Sequence, residues 1–188
     1  MPDLQKTALL VIDVQRAFAD AEYFPPATRN NPECEANVAA LISAWREAGG
    51  PLVYVRHDSV EPGSPLAPGL PGNAFQDVVS GEPDLLVTKH VNSAFYGDPD
   101  LHGWLGERGI ASIAVCGITT NHCVETTARM GANLGYEVLF AIDATHTFDR
   151  TGPDGAVLSA DELARATATS LHGEFATVVR TKGLVSAR

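Results

Sequence analysis

Three residues of this sequence have side chains suited to covalent chemistry and stand where a fold could bring them together: Asp13, Lys89 and Cys123. Asp13 closes the apolar run TALLVID, Lys89 follows LLVT, and Cys123 ends the segment GITTNHC that leaves a third apolar run. An acid, an amine and a thiol in one cleft supply a proton acceptor, a fixed positive charge and a nucleophile, the equipment for acyl transfer through a covalent intermediate. Each has an ordinary reading alone: Asp13 as a turn or cap residue, Lys89 as a solvated lysine, Cys123 as a small buried hydrophobe. Their joint placement at strand ends favours the chemical reading.

Cys123 has the best local argument. If a helix opens there, directly after a Gly- and Thr-rich turn, unpaired N–H groups and the helix dipole surround the sulfur. Such surroundings lower a thiol's pKa from about 8.5 toward neutrality and hold the oxyanion formed when sulfur attacks a carbonyl. Cys116 sits inside a strand beside Ala114 and Val115, and Cys34 lies between Glu33 and Glu35, so neither competes. Three cysteines without a repeated spacing exclude a disulfide framework or a zinc finger. A thiol-redox pair of Cys123 with Cys116 lacks the C-x-x-C arrangement.

The elements that must position these residues alternate. Strands are expected over Thr7–Asp13, Pro51–Arg56, Leu85–Thr88, Ala111–Gly117, Tyr136–Ile142 and Phe175–Val179, and helices over Pro32–Gly49, Pro99–Arg108, Cys123–Leu134 and Ser159–His172. Between the second and third strands, EPGSPLAPGLPG (Glu61–Gly72) excludes helix and central strand. Alternation of this kind implies right-handed crossovers and a three-layer α/β/α sandwich, Rossmann-like, around a mostly parallel six-stranded sheet. Ligands of such sheets bind beyond the carboxyl ends of the strands.

At 188 residues, one domain over 1–188 is expected, with 45% hydrophobic and 19% charged residues as in ordinary globular chains. A formal net charge of −10 argues against nucleic acid or an anionic membrane as partner. No apolar run approaches the roughly 20 residues of a membrane span. The start MPDLQKTALLVID lacks the pattern of a signal peptide, so a cytoplasmic address is expected.

The blocks ALLVIDVQRAF, VTKHVNSAF and VCGITTNHCVETTARMGANLGYEVLFAIDATHTFD, in unbroken order from about Leu9 to Asp149, resemble the signature blocks of the isochorismatase-like cysteine hydrolases. The resemblance implies an acid–lysine–cysteine triad on Asp13, Lys89 and Cys123. It also implies a cis peptide at Ile118–Thr119 and an oxyanion hole from the Thr119 and Cys123 amides. The implied activity is hydrolysis of an amide-type C–N bond of a small molecule (an amide, ureido or carbamoyl compound) through a thioester. A homodimer or homotetramer is implied too. The alternatives are vinyl-ether hydrolysis of the isochorismatase type and a non-catalytic binding protein on the same fold.

Nicotinamidases of that family carry an Asp-x-His metal motif after the second strand; here the stretch is Val55-Arg56-His57-Asp58, with valine at the acid's place. His57 and Asp58, being adjacent, make a poor closed metal site, so no metal and no other cofactor is expected. Phe18, Tyr23, His57, Phe95 and His146 are the expected pocket walls. Arg56 is read either as an anchor for a substrate carboxylate or as a partner of Asp58, Asn92 and Ser93 as residues that orient Lys89 or its loop, and Asp143 as structural. His122, next to the nucleophile, should point elsewhere.

Overall fold

Apolar runs too short for helices and apolar at every position belong in a parallel sheet covered on both faces. The computed structural model, which describes residues 2–185, has this architecture. In chain order its elements are β1 (Thr7–Ile12), α1 (Cys34–Ala48), β2 (Leu52–His57), β3 (Leu85–Lys89), α2 (Leu101–Glu107), β4 (Ser112–Ile118), α3 (Glu125–Asn133) and β5 (Glu137–His146). A short hairpin of β6 (Arg150–Thr151) and β7 (Val157–Leu158), then α4 (Ala160–Leu171), β8 (Thr177–Val179) and α5 (Thr181–Val185), complete it. The sheet runs β3-β2-β1-β4-β5-β8 with every neighbouring pair parallel.

Period-two alternation assigns each strand residue to a layer. Leu9, Val11, Ala114 and Cys116 pack with Val38, Leu41, Ile42 and Trp45 of α1 and Leu184 of α5. Ala8, Leu10, Ile12, Val53, Val55, Ile113 and Val115 pack on the other face with Leu101, Leu105, Ala128 and Leu171 of α2, α3 and α4. Trp45 also donates its indole N–H to the Thr7 carbonyl at 2.7 Å, pinning α1 to the start of β1. No helix among the described residues is long and apolar enough to cross a membrane.

Two local features differ from the sequence expectation and bear on the site. The helix expected to open at Cys123 begins earlier, as a π-helical turn over Thr120–Val124 that leads into α3. The Thr119 carbonyl accepts from both His122 N (3.2 Å) and Val124 N (3.3 Å), so Cys123 lies inside the turn rather than at a helix's first position. Apolar periodicity cannot distinguish one wide turn from regular helix. The hairpin β6–β7 was not foreseen, because two residues per strand leave no alternating pattern to read.

Gly117 makes the approach of β4 to β1 possible. Its φ is 121°, and a Cβ there would lie 1.9 Å from the Ile12 carbonyl oxygen. On the far side of the site, Thr88 and Asp98 exchange backbone hydrogen bonds of 2.8 Å in both directions, closing the loop that follows Lys89.

Candidate active site

The strand order explains why residues distant in sequence meet. β3, β2, β1 and β4 are consecutive neighbours, and their carboxyl ends carry Lys89, His57, Asp13 and Ile118 in that order. Chain order reverses direction between β1 and β4, the switch point where α/β sheets open a crevice. Lys89 belongs to the strand two places from β1, and strands are about 4.8 Å apart. Its long side chain therefore crosses the end of β2 to reach Asp13, passing His57. Nζ lies 2.6 Å from Asp13 Oδ2 and 3.1 Å from His57 Nδ1. The lysine and aspartate side chains are 0% and 1% exposed, so this pair is screened from water.

Asp13 sits just past β1 with φ 51°, a left-handed conformation uncommon outside glycine. Its N–H donates to the Val55 carbonyl at 2.9 Å and its own carbonyl accepts from Gln15 N at 2.7 Å. That turn aims the carboxylate across the strand ends. Oδ2 is taken by Lys89, whereas Oδ1 is buried and has no partner among the described residues. The turn bearing Cys123 is fastened to β5 and the residue just past it: the Thr120 hydroxyl donates to Thr145 Oγ1 at 2.8 Å, and the Thr147 hydroxyl donates to Asn121 Oδ1 at 2.5 Å. Cys123 Sγ, an Asp13 carboxylate oxygen and a His57 ring nitrogen then lie within 4.8 Å of one another. Thr119 is buried beside this turn, and the Ile118–Thr119 peptide is cis.

The electrostatics overturn one expectation. Burial raises the Cys123 pKa well above its usual value, and the Asp13 charge adds to the rise while Lys89 opposes it. Burial and the Asp13 charge thus favour the protonated thiol over the thiolate expected of a helix start. For Lys89, burial works against the charged form, but the Asp13 charge and hydrogen bond and the neighbouring Cys123 outweigh it, so its pKa is raised. Burial, and then the Lys89 charge, lower that of His57.

The other sequence candidates divide. Phe18 joins an aromatic row: its ring is 4.8 Å from Phe24, which is 5.1 Å from Phe148, which meets His146 edge-on at 5.2 Å. His146 is fully buried with neither ring nitrogen hydrogen-bonded, Nε2 lying 3.8 Å from Glu35 Oε1, and burial pushes its pKa down to about 3. Tyr23 is 49% exposed on the loop before α1. Phe95 stacks on Tyr136 at 5.6 Å and packs toward Gly131 of α3, against the same apolar layer that Cys123 borders. Arg56 pairs with Asp58 (2.9 Å), and Asp143 accepts from the N–H and hydroxyl of Thr181 at the start of α5. His122 is exposed. Cys116 packs in the α1 layer and Cys123 against the opposite one, so the sheet separates the redox pair considered above.

Asn92 approaches the thiol, with Oδ1 3.7 Å from Sγ. Gln15 and Asn73, which hold the main chain of His57, were missed by sequence reasoning. Gln15, two residues beyond Asp13 in the first signature block, was the available signal; Asn73, inside the Pro/Gly loop, offered none. Asp13, His57 and Cys123 form a donor set of the kind that can hold a metal ion. The Lys89 ammonium already contacts two of these residues, which fills the cation's place with a permanent charge. Asp58 is engaged by Arg56 and by Asn73 Nδ2 at 3.0 Å, so it does not join His57 in a common site.

The model of the isochorismatase domain matches residues 7–172. The isochorismatase family protein YrdC of Bacillus subtilis is 34% identical over 97% of this chain and 96% of its own length. The ureidoacrylate amidohydrolase RutB of Azorhizobium caulinodans is 31% identical over 80% of this chain and 79% of its own. A crystal structure of an isochorismatase-family protein from Chromobacterium violaceum superposes with a TM-score of 0.89, at 39% identity, covering 97% of this chain and 93% of that one. Sequence match, near-complete coverage and structural superposition agree, and this chain belongs to the isochorismatase family of hydrolases.

Proposed function

We propose that the protein hydrolyses an amide-type C–N bond of a small molecule through a thioester on Cys123. The observation that carries this reading is the buried Asp13 carboxylate within 4.8 Å of the Cys123 thiol, with Lys89 on Oδ2 and Oδ1 without a hydrogen-bond partner among the described residues. As sulfur attacks the substrate carbonyl, the thiol proton passes to Oδ1, and the carbonyl π pair moves onto oxygen. The Thr119 and Cys123 amides stabilise that oxyanion. Collapse breaks the C–N bond, the Asp13 proton goes to the leaving nitrogen, and the acyl group remains on sulfur. Water, deprotonated by Asp13, attacks the thioester; the carboxylic acid leaves and the thiol is restored. Lys89 keeps its charge throughout and holds Asp13 in place through the 2.6 Å contact to Oδ2.

The ureidoacrylate amidohydrolase relative supports the bond type. The test is intact mass after brief exposure to a panel of amides, ureides and N-carbamoyl compounds, with wild type beside Cys123→Ala. An acyl adduct on wild type alone is expected, and its mass reports the acyl half of the substrate. Turnover by a folded Cys123→Ala protein would sink the scheme and move weight to vinyl-ether chemistry.

A further inference from the structure

His57 stands on the strand between the two that supply the ion pair, and its surroundings are built to fix it. Gln15, fully buried, accepts from the His57 N–H at 2.9 Å and donates to the His57 carbonyl at 3.0 Å. Asn73, 6% exposed, donates to the same carbonyl at 3.1 Å. Asn73 Nδ2 also donates to Asp58 Oδ1 and Leu66 O, and Gln15 Nε2 to Asn73 O, so His57 is held within a buried amide network of the kind that fixes a functional side chain's geometry.

The ring is oriented by Lys89, whose Nζ lies 3.1 Å from Nδ1. A lysine ammonium has three donors and no acceptor, so Nδ1 must accept. Burial and the Lys89 charge keep the imidazole neutral, and its one hydrogen then resides on Nε2. The side chain is half-buried, and Nε2 has no hydrogen-bond partner among the described residues. It is therefore a donor of fixed direction with its bond unmade, on a ring within 4.8 Å of the nucleophile.

We propose that His57 determines specificity by offering its Nε2–H to a second acceptor, a carbonyl or carboxylate oxygen, placed beside the scissile carbonyl of the substrate. The proposal rests on Cys123 being the nucleophile. A site built to donate a hydrogen bond discriminates against analogues that leave the donor unpaired, so the favoured class is amides with such an oxygen and the disfavoured class is plain alkyl amides.

Two alkylating probes read this directly: iodoacetamide, with a carbonyl next to the reacting carbon, and iodoethane, with none. Rates of Cys123 modification are measured by mass spectrometry in wild type, His57→Phe and His57→Gln. His57→Phe should slow iodoacetamide about tenfold relative to iodoethane, the worth of one hydrogen bond of this kind. His57→Gln keeps an N–H at similar reach and should restore most of that loss. Equal slowing of both probes in His57→Phe, or no recovery in His57→Gln, overturns the proposal. A ¹⁵N NMR spectrum of the imidazole, assigned with His57→Gln, tests it independently: a protonated Nε2 and a bare Nδ1 near neutral pH are expected. The reversed tautomer, or a doubly protonated ring, overturns it whatever Cys123 does. If Cys123 is modified no faster than Cys34 and Cys116 while the spectrum is as expected, the nucleophile reading fails and the assigned donor stands.

Discussion

The preference of Cys123 for the protonated thiol changes what Asp13 is for. Sequence position alone suggested a thiol made acidic by a helix start; burial and the adjacent carboxylate reverse that, and the proton must be removed during attack. Asp13→Asn removes a negative charge while leaving Lys89 in place, so the Cys123 thiol should titrate at a lower pH than in wild type. Turnover should nonetheless fall by about 10²–10⁴-fold, since no base remains to carry the proton to the leaving group. Thiol absorbance against pH and steady-state kinetics on the same variant separate the two effects. An unchanged or raised titration in Asp13→Asn would show that the carboxylate does not govern the thiol. Asp13, Lys89 and Cys123 were legible because each ends or closely follows a recognisable apolar run. Gln15 and Asn73 were not, since an amide that grips backbone leaves no periodic trace.

At the scale of elements, the six strands and four longer helices were readable from alternation, Gly stops and Pro-rich breaks, and their bounds shift by only a few residues in the structure. The π-helical turn escaped because its wider winding alters hydrogen bonds and not composition. Gly117 offers a test of the β1–β4 contact. Gly117→Ala pushes a methyl into the Ile12 carbonyl and should cost more than about 3 kcal/mol, the upper range for overpacking. Gly106, exposed within α2 with nothing near a built Cβ, is the control. Gly106→Ala should gain up to about 1 kcal/mol from helix propensity. Urea midpoints of the two variants check both; a Gly117→Ala protein as stable as wild type would mean that β1 and β4 can separate at no expense to the fold.

For the whole molecule, the sheet divides its labour unevenly. Asp13 and the turn of Cys123 hang from central strands buried on both faces, whereas Lys89 ends β3, an edge strand five residues long that pairs with β2 on one side and on the other only through the Thr88–Asp98 bridge. Margins of a sheet open at lower free energy than its centre. Partial urea should therefore abolish turnover before the far-ultraviolet dichroism changes, and amide exchange should be faster along β3 than along β1. Coincident loss of activity and structure would show that β3 holds as firmly as the core. An amine borrowed from the border makes the catalyst a sensor of its own periphery: whatever grips or loosens that one rim, a neighbouring chain included, sets how many molecules are armed without touching the thiol.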